Sequence, residues 1–87
     1  MHPVRSIEFT REARKALKAM PRNMRELVLG KIDGLAADPL RAPNVKKLVG
    51  RPGYRLRVGD WRVIYTLDAG RLVVRVLDIG ARGEVYQ

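Results

Sequence analysis

Two alternating runs, Tyr54–Val58 and Trp61–Leu67, meet at Gly59-Asp60, and a tight β-hairpin is the arrangement that satisfies both. Side chains alternate between faces along a strand, and a two-residue turn containing glycine fixes which residues stand opposite. The resulting register pairs Val58 with Trp61, Arg57 with Arg62, and Leu56 with Val63. One face then collects Leu56, Val58, Trp61, Val63, Tyr65 and Leu67. Burying six such side chains contributes on the order of 10 kcal/mol before chain entropy is subtracted. Trp61 and Tyr65 are core residues on this reading, with stacking on a nucleobase as the alternative.

The opposite face carries Arg55, Arg57, Arg62, Ile64 and Thr66, and it places arginine directly against arginine. Opposed like charges destabilise a sheet. At about 5 Å two unit charges repel by about 0.8 kcal/mol in water and about 3 kcal/mol at an effective dielectric of about 20. A structural hairpin gains nothing from this, whereas a surface that binds a polyanion does. A solvated face with incidental arginines is the plainer alternative. If Leu67 pairs with Leu72, then Val73, Arg75, Leu77 and Ile79 join the arginine face. Arginine suits phosphate because its planar fork donates two parallel hydrogen bonds.

The rest of the chain supplies the cover for the apolar face. Arg5–Phe9 alternates as a short strand. Thr10 is a good N-cap for a helix over about 11–19, whose apolar stripe is Ala13, Ala16, Leu17 and Met20. Pro21 suits the first turn of a second helix reaching about Ala37, with the stripe Met24, Leu27, Val28, Ile32 and Leu35. Gly30 and Gly34 weaken that helix and are expected to permit close packing. Asp38-Pro39 ends it. Asn44–Val49 reads as an edge strand, with Lys46 and Lys47 discouraging edge-to-edge aggregation. A last strand spans 72–79, and Gly80–Gln87 forms a tail. The expected fold is α+β, in the order β-α-α-β-β-β. It is an antiparallel sheet of about four strands with two N-terminal helices packed on one face, and residues 1–87 form a single domain.

Charge narrows the partner. The chain has 87 residues, with 18 Lys/Arg against 9 Asp/Glu, a formal charge of +9. Residues 41–87 carry ten basic and four acidic residues, against eight and five in residues 1–40, so the C-terminal half is the expected binding surface. Solubility is the competing use of surplus charge. There is no cysteine, and His2 is the sole histidine, so disulfides, cysteine–zinc sites and histidine catalysis are not expected. No metal or other cofactor is implied. No apolar run approaches a membrane span and no signal peptide is visible, which leaves a cytoplasmic protein as the expectation.

Arg82 and Tyr86 follow the last strand, which returns toward Arg62. Three cationic groups and a phenol then gather at one end of a groove. Such a group suits phosphodiester cleavage without metal: Arg62 holds the scissile phosphate, Arg82 contacts the phosphate or the leaving oxygen, and Tyr86 shuttles a proton or stacks on a base. In such a reaction the RNA 2′-hydroxyl would itself be the nucleophile, so no enzyme nucleophile is needed. Arginine stays protonated, so the general base is left open.

Three segments carry a family resemblance over nearly the whole chain: Asn44-Val-Lys-Lys-Leu48, Tyr54-Arg-Leu-Arg-Val-Gly-Asp-Trp-Arg-Val-Ile-Tyr65 and Asp78-Ile-Gly-Ala-Arg-Gly-Glu-Val-Tyr86. The chain resembles the RelE/ParE superfamily of bacterial toxins from type II toxin–antitoxin pairs, in its RelE-like branch. The resemblance implies a compact sheet with two N-terminal helices. It also implies ribosome-dependent cleavage of mRNA in the A site and inhibition by a cognate antitoxin in a hetero-oligomeric complex. Carried over by position, Arg62, Arg82 and Tyr86 are the catalytic residues. Arg55, Arg57, Lys46, Lys47 and Arg75 are the RNA- and phosphate-binding residues. Arg55 and Arg57 stand where some RelE members have lysine. Ala81 is an altered catalytic position, where close relatives often carry histidine. The alternative within the superfamily is a ParE-like inhibitor of DNA gyrase that cuts no RNA, and outside it a plain basic binding module.

Overall fold

The computed structural model describes residues 6–38, 43–68 and 73–81. In chain order the elements are β1 (Ser6–Phe9), α1 (Arg11–Ala19), α2 (Arg22–Ala37), β2 (Val45–Lys47), β3 (Tyr54–Val58), β4 (Trp61–Asp68) and β5 (Val73–Ala81). The sheet order is β1-β5-β4-β3-β2. The α+β class and the two N-terminal helices are as expected. The sheet has five strands, and β1 joins β5 in parallel while every other pairing is antiparallel. The parallel join follows from the helical hairpin, which carries the chain across the sheet between β1 and the meander β2–β5.

α1 begins where the sequence places it. The Thr10 hydroxyl oxygen accepts the Ala13 N–H at 3.2 Å, and Glu12 and Lys18 lie at the helix ends that suit their charges. Thr10 also ties the helix to the sheet. Its N–H donates to the Val76 carbonyl at 3.0 Å and its hydroxyl donates to the Leu77 carbonyl. Arg25 of α2 closes the other end of α1. Its Nε donates to the Leu17 carbonyl at 2.8 Å and an Nη to the Met20 carbonyl at 3.2 Å, satisfying acceptors that a helix C-terminus leaves free.

The core lies between the helices and one face of the sheet. Ala13, Leu17, Met20, Val28, Ile32, Leu35 and Ala36 meet Leu56, Val58, Val63, Tyr65, Val74, Val76 and Ile79, with Trp61 and Leu67 partly buried against them. The apolar face of the hairpin is thus the core face, and Tyr65 is a core residue. Its ring stacks on Tyr54 with centroids 5.5 Å apart. Leu27, expected in the α2 stripe, is instead 46% exposed, and Ala36 is buried. The helix has rotated its small residue inward. No described helix is long and apolar enough to cross a membrane.

The hairpin register is the expected one: Val58 opposes Trp61, Arg57 opposes Arg62 and Leu56 opposes Val63. The pairing of β4 with β5 differs. Leu67 opposes Val74, not Leu72, and the register shifts between Ile64, opposite Asp78, and Tyr65, opposite Val76. Leu77 is the extra residue of a β-bulge. Ile79, expected on the arginine face, therefore joins the core, and Asp78 moves to the arginine face. The bulge coincides with the Val76 and Leu77 carbonyls that receive Thr10. Gly53 marks a second constraint. It sits at φ +118°, and a Cβ there would lie 2.9 Å from the Tyr65 carbonyl oxygen.

Gly30 and Gly34 do not serve close packing, because a Cβ at either meets nothing within 4 Å. Gly30→Ala and Gly34→Ala are each expected to stabilise the protein by about 1 kcal/mol, read as a higher denaturant midpoint. Burial, reinforced by the neighbouring Tyr54, pushes the Tyr65 phenol from 10.0 up to about 12. The folded state therefore holds this proton more tightly than the unfolded chain. Stability present below pH 10 is lost as pH rises toward about 12. Denaturant unfolding from pH 9 to about pH 11 should show that decline, and Tyr65→Phe should flatten it.

Candidate nucleic-acid interface

The face of the sheet opposite the helices carries two adjacent register rows of cations. In one row Lys46 of β2 opposes Arg55 of β3, whose partner on β4 is Ile64. In the next, Arg57 of β3 opposes Arg62 of β4, whose partner on β5 is Gly80. Gly80 is buried and has no side chain, so the charged part of that row ends at Arg62. Asn44, Val45, Lys46, Arg55, Arg57 and Arg62 line a cavity of about 490 Å³. Asn44 adopts the left-handed conformation (φ 63°) that asparagine tolerates, and its carbonyl accepts the Arg57 N–H at 3.0 Å. This bond holds the start of β2 against the arginine row.

Among the described residues no carboxylate forms an ion pair with Lys46, Arg55, Arg57 or Arg62, while Arg22 and Glu26 on α2 do pair, at 3.3 Å. Four cations thus converge on one cavity with no acidic partner from the described chain. An incidental solvated face would spread or pair them. The arrangement can take up an anion, and backbone pairing presets the positions of its donors.

The other expected site residues fall in different places. Lys47 opposes Tyr54, on the pleat that looks toward the helices, so it lies off the arginine face. Strand alternation forces this, because Lys46 and Lys47 are neighbours. Arg75 is on the arginine face, opposite Thr66. It lies four residues along β4 from Arg62, about 13 Å away, and its partner on β1 is Glu8. Ala81 opposes Trp61, one pleat away from Arg62. Arg82 and Tyr86 lie outside the described residues. Asp78 is on the arginine face opposite Ile64, with its Oδ1 accepting the Ile79 N–H at 2.9 Å. Unbroken alternation assigned it to the core. The signal in the sequence was the improbability of a lone carboxylate there. Exposed apolar side chains were expected on this face, yet Ile64 and Val73 are buried. β4 is central in the sheet, and long arginine stems cover neighbouring apolar surface.

No described group of three or more His, Cys, Asp and Glu residues stands together as a metal cage. The family model described as the ParE toxin of type II toxin–antitoxin systems, parDE, matches residues 7–86. The chain belongs to the RelE/ParE superfamily. It is a toxin of the type II toxin–antitoxin class. Solved structures of RelE toxins share its fold. The archaeal RelE–RelB complex from Pyrococcus horikoshii OT3 superposes with a TM-score of 0.81 at 29% identity, covering 94% of this chain and 99% of that one. The toxin–antitoxin complex RelBE2 from Mycobacterium tuberculosis gives 0.80 at 25% identity, covering 92% and 100%. The isolated E. coli RelE toxin gives 0.77 at 26% identity, covering 94% and 90%. No curated protein sequence matches the chain.

The Arg57–Arg62 opposition in this toxin is a measurable cost. Arg57→Gln is expected to raise stability by about 0.5 kcal/mol at low salt. The gain should shrink in about 1 M salt, where the screening length falls to about 3 Å. Thermal melts at the two ionic strengths check it.

Proposed function

We propose that this toxin is an endoribonuclease that cuts mRNA in the ribosomal A site. The observation that carries the reading is the cavity of about 490 Å³ lined by Lys46, Arg55, Arg57 and Arg62. A phosphodiester supplies the negative charge those side chains lack. In this reading Arg62, with Arg57 beside it, grips the scissile phosphate and stabilises the charge that develops on its oxygens. The 2′-oxygen of the RNA attacks the adjacent phosphorus and gives up its proton, the bond to the 5′-oxygen breaks, and a 2′,3′-cyclic phosphate remains. The leaving 5′-oxygen takes a proton. Fixed guanidinium groups supply the charge stabilisation, so the reading needs no metal.

Arginine donates hydrogen bonds and does not accept protons. Proton transfer is therefore assigned to Tyr86, and a further phosphate contact to Arg82. Both assignments rest on the match of Asp78-Ile-Gly-Ala-Arg-Gly-Glu-Val-Tyr86 to the superfamily pattern. Ala81 lacks a group that moves protons, which weakens catalysis if that position contributes in relatives. The work is done in the cytoplasm, where the ribosome presents single-stranded mRNA. The Pyrococcus and Mycobacterium neighbours are toxin–antitoxin complexes, and a cognate antitoxin is proposed here too. Leu27 on α2 and the cavity of about 350 Å³ beside Gly30, Gly34 and Leu56 offer it an apolar seat whose rim carries Lys31, Asp38 and Arg57.

The family model that matches is the ParE one, and this favours a second reading, inhibition of DNA gyrase by binding. The two separate cleanly in cells. Induction of the toxin followed by primer extension on a reporter mRNA is expected to show cuts, and Arg62→Ala is expected to reduce them at least 100-fold, the scale of a lost transition-state donor. An SOS response and DNA damage without mRNA cuts would establish the gyrase reading instead.

A further inference from the structure

The four cavity cations fall into two like-charged pairs, each joining neighbouring strands: Lys46 with Arg55 across β2 and β3, and Arg57 with Arg62 across β3 and β4. Within a pair, the Cβ atoms of opposed residues stand about 5 Å apart, close enough for both side chains to grip one phosphate. Between the pairs the step along β3 is two residues, from Arg55 to Arg57, or about 7 Å. That is the reach of one nucleotide along a single strand. A lone phosphodiester carries one negative charge, so it satisfies one pair and leaves the other self-repelling.

We propose that the cavity is a two-phosphate site for single-stranded nucleic acid. Arg57 and Arg62 take one phosphate, and Lys46 and Arg55 take its immediate neighbour. The two rows are offset by one strand, so the bound strand crosses the sheet obliquely, from Arg62 on β4 toward the β2 edge. β2 is the last strand of the sheet, so among the described residues no further strand pairs beyond it. The register also limits the count. Lys47 looks to the other side of the sheet, and Arg75, though one row beyond Arg55, stands on β5, two strands away from it and opposite in direction to the β2 edge, so neither lies on the path of the bound strand. Which phosphate is cut rests on the endoribonuclease reading, whereas the number of phosphates held does not.

The test uses 2′-O-methyl uridine oligomers, which present phosphates but cannot be cleaved: UpU with one phosphate, UpUpU with two and UpUpUpU with three. Affinity for the toxin chain is expected to rise about ten-fold or more from one phosphate to two, and less than three-fold from two to three. Lys46→Gln with Arg55→Gln should abolish the first step. Lys46→Gln alone, an exposed change on an edge strand, should reduce the step and cannot do so by unfolding the core. Equal gains for each added phosphate would overturn the proposal, as would a ten-fold step that survives in the double variant. The probes lack a 2′-hydroxyl, so the outcome is separable from catalysis. A sharp step with no cuts in primer extension sinks the cleavage reading and leaves the two-phosphate site standing. Cuts without the step sink the site.

Discussion

Burial on one side of the β3–β4 hairpin holds charge repulsion in place on the other. Leu56, Val58 and Val63 are in the core, and Arg57 and Arg62 alternate with them along the same strands. A one-residue slip would separate the arginines, but it would also turn the apolar set to solvent. Each of those side chains is worth about 1.5–3 kcal/mol when buried, several times the repulsion at a solvated surface. The core therefore wins, and the arginines stay opposed.

The Thr10 contacts transmit the same logic to the far side of the sheet. Thr10 caps α1 and donates to the carbonyls of Val76 and Leu77, at the bulge in β5. The bulge turns Ile79 inward and leaves Asp78 and Gly80 on the arginine face. A helix cap on one face of the sheet is thus coupled to which residues stand on the other. Arg25, which closes the C-terminal end of α1, fixes the helical hairpin that makes this geometry repeatable.

Membership in the superfamily and the site geometry answer different questions. The family match and the RelE neighbours establish the fold and the toxin class. They do not separate the nuclease reading from the gyrase reading, because a fold does not by itself specify function. The four cations without a carboxylate partner among the described residues are the feature of this chain that bears on that choice.

The sequence by itself determined the hairpin, its register, the cap at Thr10, both helices and the opposition of Arg57 and Arg62. Those features are set by local periodicity and turn chemistry, which act over a few residues. Only the tertiary structure decided that β1 joins in parallel, that Leu27 is exposed and that Lys46, not Lys47, sides with the arginines. It also decided that Asp78 leaves the core for the arginine face. Each depends on which strands become neighbours, and the last on one extra residue at Leu77. Alternation continued past a bulge inverts every side chain beyond it, and the one hint of it in the chain is that unbroken alternation puts the Asp78 carboxylate at a core position.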